Sequence, residues 1–284
     1  MKKIRFIICL ILIAALFSSC AGNEETTAGE TTSEAEITTE EETTLPVREA
    51  DRLGEEIYKN HPELTPVNYE SPAILGKSDD MGQEYIDKLT FICDSPTYWM
   101  WPFGLLKDGA DTNCIWTGPE GTMTLAYQSD YCILDPYDNI EKPIRQVVEE
   151  HKPEYLIIAV GVNGISFMDE EWFKKEYTDL VTDIKAISPG TKLMCQSIYP
   201  ITPAYRGWGD ITNETITAAN SWILEIAQEH GCRYLDSFAI LLGEDGNAIP
   251  ELMMKDGLHP NEEGLAKVIE YIRTHAWVDY NTVG

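Results

Sequence analysis

The chain of 284 residues carries 48 acidic against 21 basic side chains, a formal net charge of −27 at pH 7. A field of that sign repels nucleic acid and anionic lipid headgroups and favours a neutral or cationic partner. The seven cysteines form no C-x-x-C pair and no metal-ligand spacing, and no Gly-rich phosphate-cradling loop is present, so neither a metal nor a nucleotide cofactor is expected.

The chain begins with the basic stretch MKKIR, followed by the 12 apolar residues FIICLILIAALF and by SSC. Twelve apolar residues fall short of a bilayer span. The pattern resembles a bacterial lipoprotein export signal, in which residues 1–19 are removed and Cys20 becomes the lipidated first residue. Phe17 stands where that signal usually has Leu. Residues 20–50, rich in Thr and Glu and without an aromatic residue, cannot bury enough apolar surface to offset the entropy of ordering, and read as a disordered tether. Lipid on Cys20 would hold a folded domain, residues 51–284, at the extracytoplasmic face of a membrane.

Within that domain ADRLGEEIYKN reads as an outer helix, and beyond residue 85 strand-like and helix-like segments alternate. KLTFIC (88–93) is a first strand; NCIWT (113–117) and TMTLAY (122–127), separated by a Gly-Pro turn, read as an antiparallel hairpin. IEKPIRQVVEEHK reads as a helix running up to Pro153. YLIIAVG (155–161) is apolar on both faces, as in a central parallel strand covered by helices on both sides. DEEWFKKEYTDLVTDIKAIS is a helix with an acidic start and a Pro189-Gly190 stop. KLMCQSIY (192–199) is a strand, TNETITAANSWILEIAQEHG a helix ending at Gly231, CRYLDS (232–237) a strand and NEEGLAKVIEYIRTHAW a closing helix. The order predicts an α/β protein: a three-layer α/β/α domain around a mostly parallel, doubly wound sheet.

An open parallel sheet binds ligands beyond the carboxyl ends of its strands. Three segments fall there: Asp94-Ser95 after the first strand, Gly161-Val162-Asn163-Gly164 after YLIIAV, and KDGLHPN, where Asp256 and His259 stand three apart ahead of the last helix. In order and spacing FICDSPT, WTGPEG, AVGVNG and DGLHPN resemble the motif blocks of the SGNH, or GDSL-type, hydrolases, and they span residues 91–261. The resemblance implies the flavodoxin-like fold of that family, with Ser95 as nucleophile, His259 as general base and Asp256 as its orienting carboxylate. The oxyanion hole would be formed by Ser95, Gly118 (or Gly121) and Asn163. The chemistry fits, because a serine hydroxyl needs an imidazole to take its proton and the imidazole needs a carboxylate to fix its tautomer. Pro96 lacks an N–H, which does no harm where the amide of the serine itself is the donor. The sequence departs from the family at Cys93, where the first block has Gly, and at Gly164, where the third has Asp.

Trp99 beside the serine, and Tyr205 and Trp208 in the loop PAYRGWGD, are candidate substrate contacts, since aromatic faces stack on sugar rings or line an acyl pocket. Export, the acidic body and the implied triad together lead to an expectation: an extracellular esterase removing short acyl groups, such as O-acetyl, from a glycan. The same residues would serve a glycan O-acyltransferase, and a glycan-binding lipoprotein without catalysis would keep the same fold.

Overall fold

The computed structural model describes residues 49–129, 131–207, 209 and 211–278. The proposed signal segment, Cys20, nearly all of the tether and Trp208 lie outside them. Among the described residues seven strands are formed: β1 (Leu89–Cys93), β2 (Ile115–Trp116), β3 (Cys132–Leu134), β4 (Glu141–Pro143), β5 (Tyr155–Ala159), β6 (Lys192–Gln196) and β7 (Arg233–Leu235). Five make one sheet in the order β2-β1-β5-β6-β7, every neighbouring pair parallel. Counted within that sheet the order is 2-1-3-4-5, that of flavodoxin-like doubly wound proteins, and its topological switch point lies between β1 and β5.

The α-helices of the described residues are α1 (Glu55–Asn60), α2 (Gly82–Ile86), α3 (Ser95–Tyr98), α4 (Ile144–His151), α5 (Glu170–Ile187), α6 (Asn213–Glu229), α7 (Ser237–Leu241) and α8 (Glu262–Thr274). Side chains alternate across the sheet as the pleat requires. Ile92, Leu156, Ile158, Leu193 and Cys195 face a core built with α4, α5 and α6. Phe91, Cys93, Ile157, Ala159 and Met194 face a second core built with α2, α7 and α8. This is the expected three-layer arrangement, and it explains why the central strands read as unbroken apolar runs.

The long helices start on side-chain caps. Asp169 accepts from the Trp172 N–H at 2.9 Å, Thr212 and Thr215 exchange the two bonds of a capping box, and Asn261 accepts from the Gly264 N–H at 3.0 Å. Such caps hold the first turn by about 1 kcal/mol each. No helix among the described residues is long and apolar enough to cross a membrane.

The hairpin expected over 113–127 is not formed. β2 pairs parallel with β1, residues 122–127 are turns and irregular chain, and the antiparallel pair is instead β3 with β4. Glu141–Pro143, read as the start of a helix, is thus a strand, and α4 begins only after Pro143.

This small sheet is anchored by Lys142, whose ammonium lies 2.6 Å from Asp135, 2.7 Å from Asp138 and 2.7 Å from Glu150. Asp135 is fully buried; burial works to raise its pKa, but the bonds from Lys142 and His151 prevail and hold it at about 2. Removing the cation leaves the buried carboxylate only His151 and the Tyr137 N–H, so Lys142→Met is expected to lower the midpoint of a urea-unfolding titration at neutral pH. A midpoint equal to that of the parent would show that solvent already satisfies the cluster.

Candidate active site

The switch point brings two chain segments side by side. Pairing of β1 with β5 continues one residue past the strand, the Asp94 N–H donating to the Ala159 carbonyl at 3.1 Å. Ser95 then opens α3 with Pro96 in the first turn, where a missing N–H costs nothing. The hydroxyl is thereby lifted above the sheet, half-buried.

The loop before α8 folds back across the chain to meet it. His259 Nε2 lies 3.0 Å from Ser95 Oγ, and His259 Nδ1 lies 2.8 Å from Asp256 Oδ2. An ionised carboxylate only accepts, so Nδ1 carries the proton and Nε2 is left as the acceptor facing the serine hydroxyl. The other carboxylate oxygen, Asp256 Oδ1, accepts from the N–H groups of Leu258 at 2.9 Å and His259 at 3.0 Å. Burial acts to raise the Asp256 pKa, but these three bonds outweigh it and hold the carboxyl below its usual range.

The loop is kept rigid by its main chain. Met254 N–H donates to the His259 carbonyl at 2.7 Å, and Thr202 N–H to the Gly257 carbonyl at 2.9 Å. Gly257 has φ of 76°, and a Cβ there would run into Thr202 and the Tyr205 amide. Only glycine lets the short Asp-x-x-His turn pack so closely.

The expected oxyanion donors are placed unevenly. Among the described residues the N–H groups of Ser95 and Gly118 donate to no protein acceptor, whereas the Gly121 N–H is engaged by the Gly118 carbonyl at 2.9 Å. A Cβ at Gly118 would collide with the Thr122 carbonyl, so the position requires glycine. Asn163 is different: its amide donates to Thr122 Oγ1 at 3.0 Å and to the Met123 carbonyl at 2.8 Å, which occupies both hydrogens. To reach a substrate oxygen it would have to release Thr122.

Sequence reasoning assigned no part to Asp94. At the N-cap of α3 it does not cap its own helix. Its Oδ2 crosses to the neighbouring loop and accepts from Gly161 N–H at 3.0 Å and Val162 N–H at 3.2 Å. One buried carboxylate thus ties the serine segment to the Asn163 segment. Burial pushes its pKa up to about 7 against the pull of those amides. The side chain of Cys93, the departure from the family motif, points into the second core, fully buried. All five described cysteines are free.

Of the expected aromatic contacts, Trp99 stands edge-on to the His259 ring with centroids 6.4 Å apart. Tyr205 is half-buried beside the Asp-x-x-His loop, its pKa raised by burial and by Asp256. Asp135, Glu150 and His151 could in principle hold a metal ion, with ligand atoms within 4.8 Å of one another. Lys142 already supplies their cation, so the charge of that cluster is met.

A parallel α/β/α sheet with a Ser–His–Asp hydrogen-bonded chain at its switch point defines a class of proteins rather than an activity. Residues 137–267 match the model of the GDSL-like Lipase/Acylhydrolase family. The match includes Asn163, Asp256 and His259 and begins after Ser95 and Gly118, which stand on geometry. An acetylxylan esterase of Xylanibacter ruminicola is 28% identical over 143 residues, 43% of this chain. The match covers only 28% of that longer relative. Among solved structures, a GDSL-like lipase from Bacteroides thetaiotaomicron aligns over 78% of this chain and 95% of its own, with 14% identity and a TM-score of 0.44. A carbohydrate esterase family 3 protein from Talaromyces cellulolyticus aligns over 65% and 93%, with 16% identity and a TM-score of 0.42.

Proposed function

We propose that the protein is an exported serine esterase that removes short acyl groups, acetyl foremost, from hydroxyls of a neutral glycan. The observation that carries this reading is the unbroken chain Asp256–His259–Ser95, with bonds of 2.8 and 3.0 Å. Ser95 Oγ attacks the ester carbonyl while His259 Nε2 takes its proton; Asp256 stabilises the imidazolium so formed. The tetrahedral oxyanion is met by the Ser95 and Gly118 N–H groups, joined by Asn163 once its amide turns from Thr122; each such donor is worth about 3 kcal/mol in the transition state. His259 returns the proton to the sugar oxygen as the C–O bond breaks. Water, activated by the same imidazole, then hydrolyses the acyl-serine.

The family match and the acetylxylan esterase relative support an ester as substrate. The net charge of −27 disfavours an anionic polymer. The export signal and Cys20 support a lipid-anchored enzyme on the extracytoplasmic face. Acetate released from acetylated xylan, measured beside acetylated pectin with the full-length protein, tests the reading. Faster release from xylan is expected. No release from either, together with no turnover of p-nitrophenyl acetate, would overturn it.

A further inference from the structure

A cleft of about 360 Å³, lined by Tyr98 of α3 and by Gly118, has no part in the mechanism above. One wall is aromatic. Tyr98 and Trp101 meet edge to face, with centroids 5.7 Å apart and planes at 83°. The turn Gly118–Gly121 continues that lining, which also includes the polar side chains of Asp111, Thr112 and Asn139.

The wall is built to stay in place. Trp101 Nε1–H donates to the Ala110 carbonyl at 2.9 Å, which fixes the indole. Gly121, with φ of 72°, lies so close to Tyr98 that a Cβ would sit 2.7 Å from the ring. The cleft is tied to the serine segment: the Thr117 hydroxyl, in its lining, donates to the Cys93 carbonyl at 2.7 Å. Tyr98 is three residues after Ser95 in α3, so the two share a helix face. Gly118, whose N–H donates to no protein acceptor among the described residues, belongs to the cleft wall as well.

We infer that this cleft is a sugar subsite, holding the neutral glycan residue next to the one that bears the ester; the inference rests on the esterase reading above. An acyl-chain pocket is a dry apolar slot. This cleft combines two aromatic rings with carboxylate, hydroxyl and amide groups in its lining, which suits a sugar with C–H faces and O–H edges. Asp111 adds a negative charge to an already acidic chain, which rejects a uronic acid and accepts neutral hydroxyl donors.

The test compares full-length protein with Ala110→Trp, which fills the cleft from an exposed position, and with Trp101→Ala, which removes a wall. The readout is the ratio of kcat/KM on acetylated xylo-oligosaccharide to kcat/KM on p-nitrophenyl acetate. Both variants are expected to lower that ratio by about tenfold or more, mainly through KM. A ratio that stays constant, whether both activities fall or neither does, overturns the inference. So does a selective loss on p-nitrophenyl octanoate, which would make the cleft an acyl pocket. Binding is read separately by titrating Ser95→Ala with unacetylated xylo- and manno-oligosaccharides. Saturation that Ala110→Trp removes is expected, and no binding of either sugar overturns the subsite. Absence of any turnover in the parent protein would strike the esterase reading itself, a different failure.

Discussion

Ser95→Ala and His259→Ala are each expected to lower kcat on p-nitrophenyl acetate by about 10⁴-fold or more, with the circular dichroism spectrum and Tm unchanged. The two act as one unit. Without the hydroxyl there is nothing for the imidazole to deprotonate, and without the imidazole the hydroxyl keeps its proton. The double variant should therefore be no worse than either single one. Asp256→Asn is expected to cost about 10³- to 10⁴-fold. Its amide would present an N–H to His259 Nδ1, driving the proton to Nε2, where it can no longer accept from Ser95. The bonds from the Leu258 and His259 N–H groups to Oδ1 can survive that change, so the loss would report on the tautomer and not on a collapsed loop. Substantial turnover in folded Ser95→Ala would remove the serine from the chemistry and end the proposed mechanism.

The parts of this structure that the sequence made readable are those where local and global demands agree. Residues 155–159 could only be a strand covered on both faces, and α5 and α6 carry both a capping residue and a stop. The candidate triad that the fold brings together was visible for a similar reason, since few residue types can do acyl chemistry and each sat at a predicted strand end or loop. The region from 113 to 143 misled because its signals are short and their partners distant. Gly118-Pro119-Glu120-Gly121 does form a tight turn, with the Gly121 N–H bonded to the Gly118 carbonyl. Ile115 and Trp116, however, are committed to β1 in parallel. Residues 122–127 then have no strand to return to, and Thr122 and Met123 serve instead as acceptors for Asn163. Strand β4, EKP, has neither apolar alternation nor β-branched residues to announce it. The part played by Asp94 has no local signature at all, because its partners are main-chain N–H groups 67 and 68 residues away.

That hidden carboxylate gives the second large effect. In Asp94→Ala the buried N–H groups of Gly161 and Val162 lose their acceptor, at about 1–3 kcal/mol each. The loop carrying Asn163 would also lose its tie to the serine segment. A marked fall in Tm and in kcat is expected together, with kcat on p-nitrophenyl acetate lowered by about tenfold or more as one oxyanion donor is misplaced. Asp94→Asn separates geometry from charge, because its carbonyl oxygen can accept both amides as Oδ2 does now. The folded-state pKa of Asp94 is raised, to about 7, since burial opposes ionisation more strongly than the amides favour it. A raised pKa means that the folded protein holds this proton more tightly than the unfolded chain. The group's contribution to stability is therefore complete below pH 4 and is lost as pH climbs through about 7, at a rate on the order of 1 kcal/mol per pH unit. Asp236, raised to about 6 by burial, adds a slope of the same sign over a narrower range. Asp94→Asn deletes one of these two slopes. The difference in Tm, variant minus parent, should accordingly become more positive between pH 5 and pH 8. Parallel Tm curves would mean that Asp94 is ionised throughout that range, with the two amides rather than burial setting its charge.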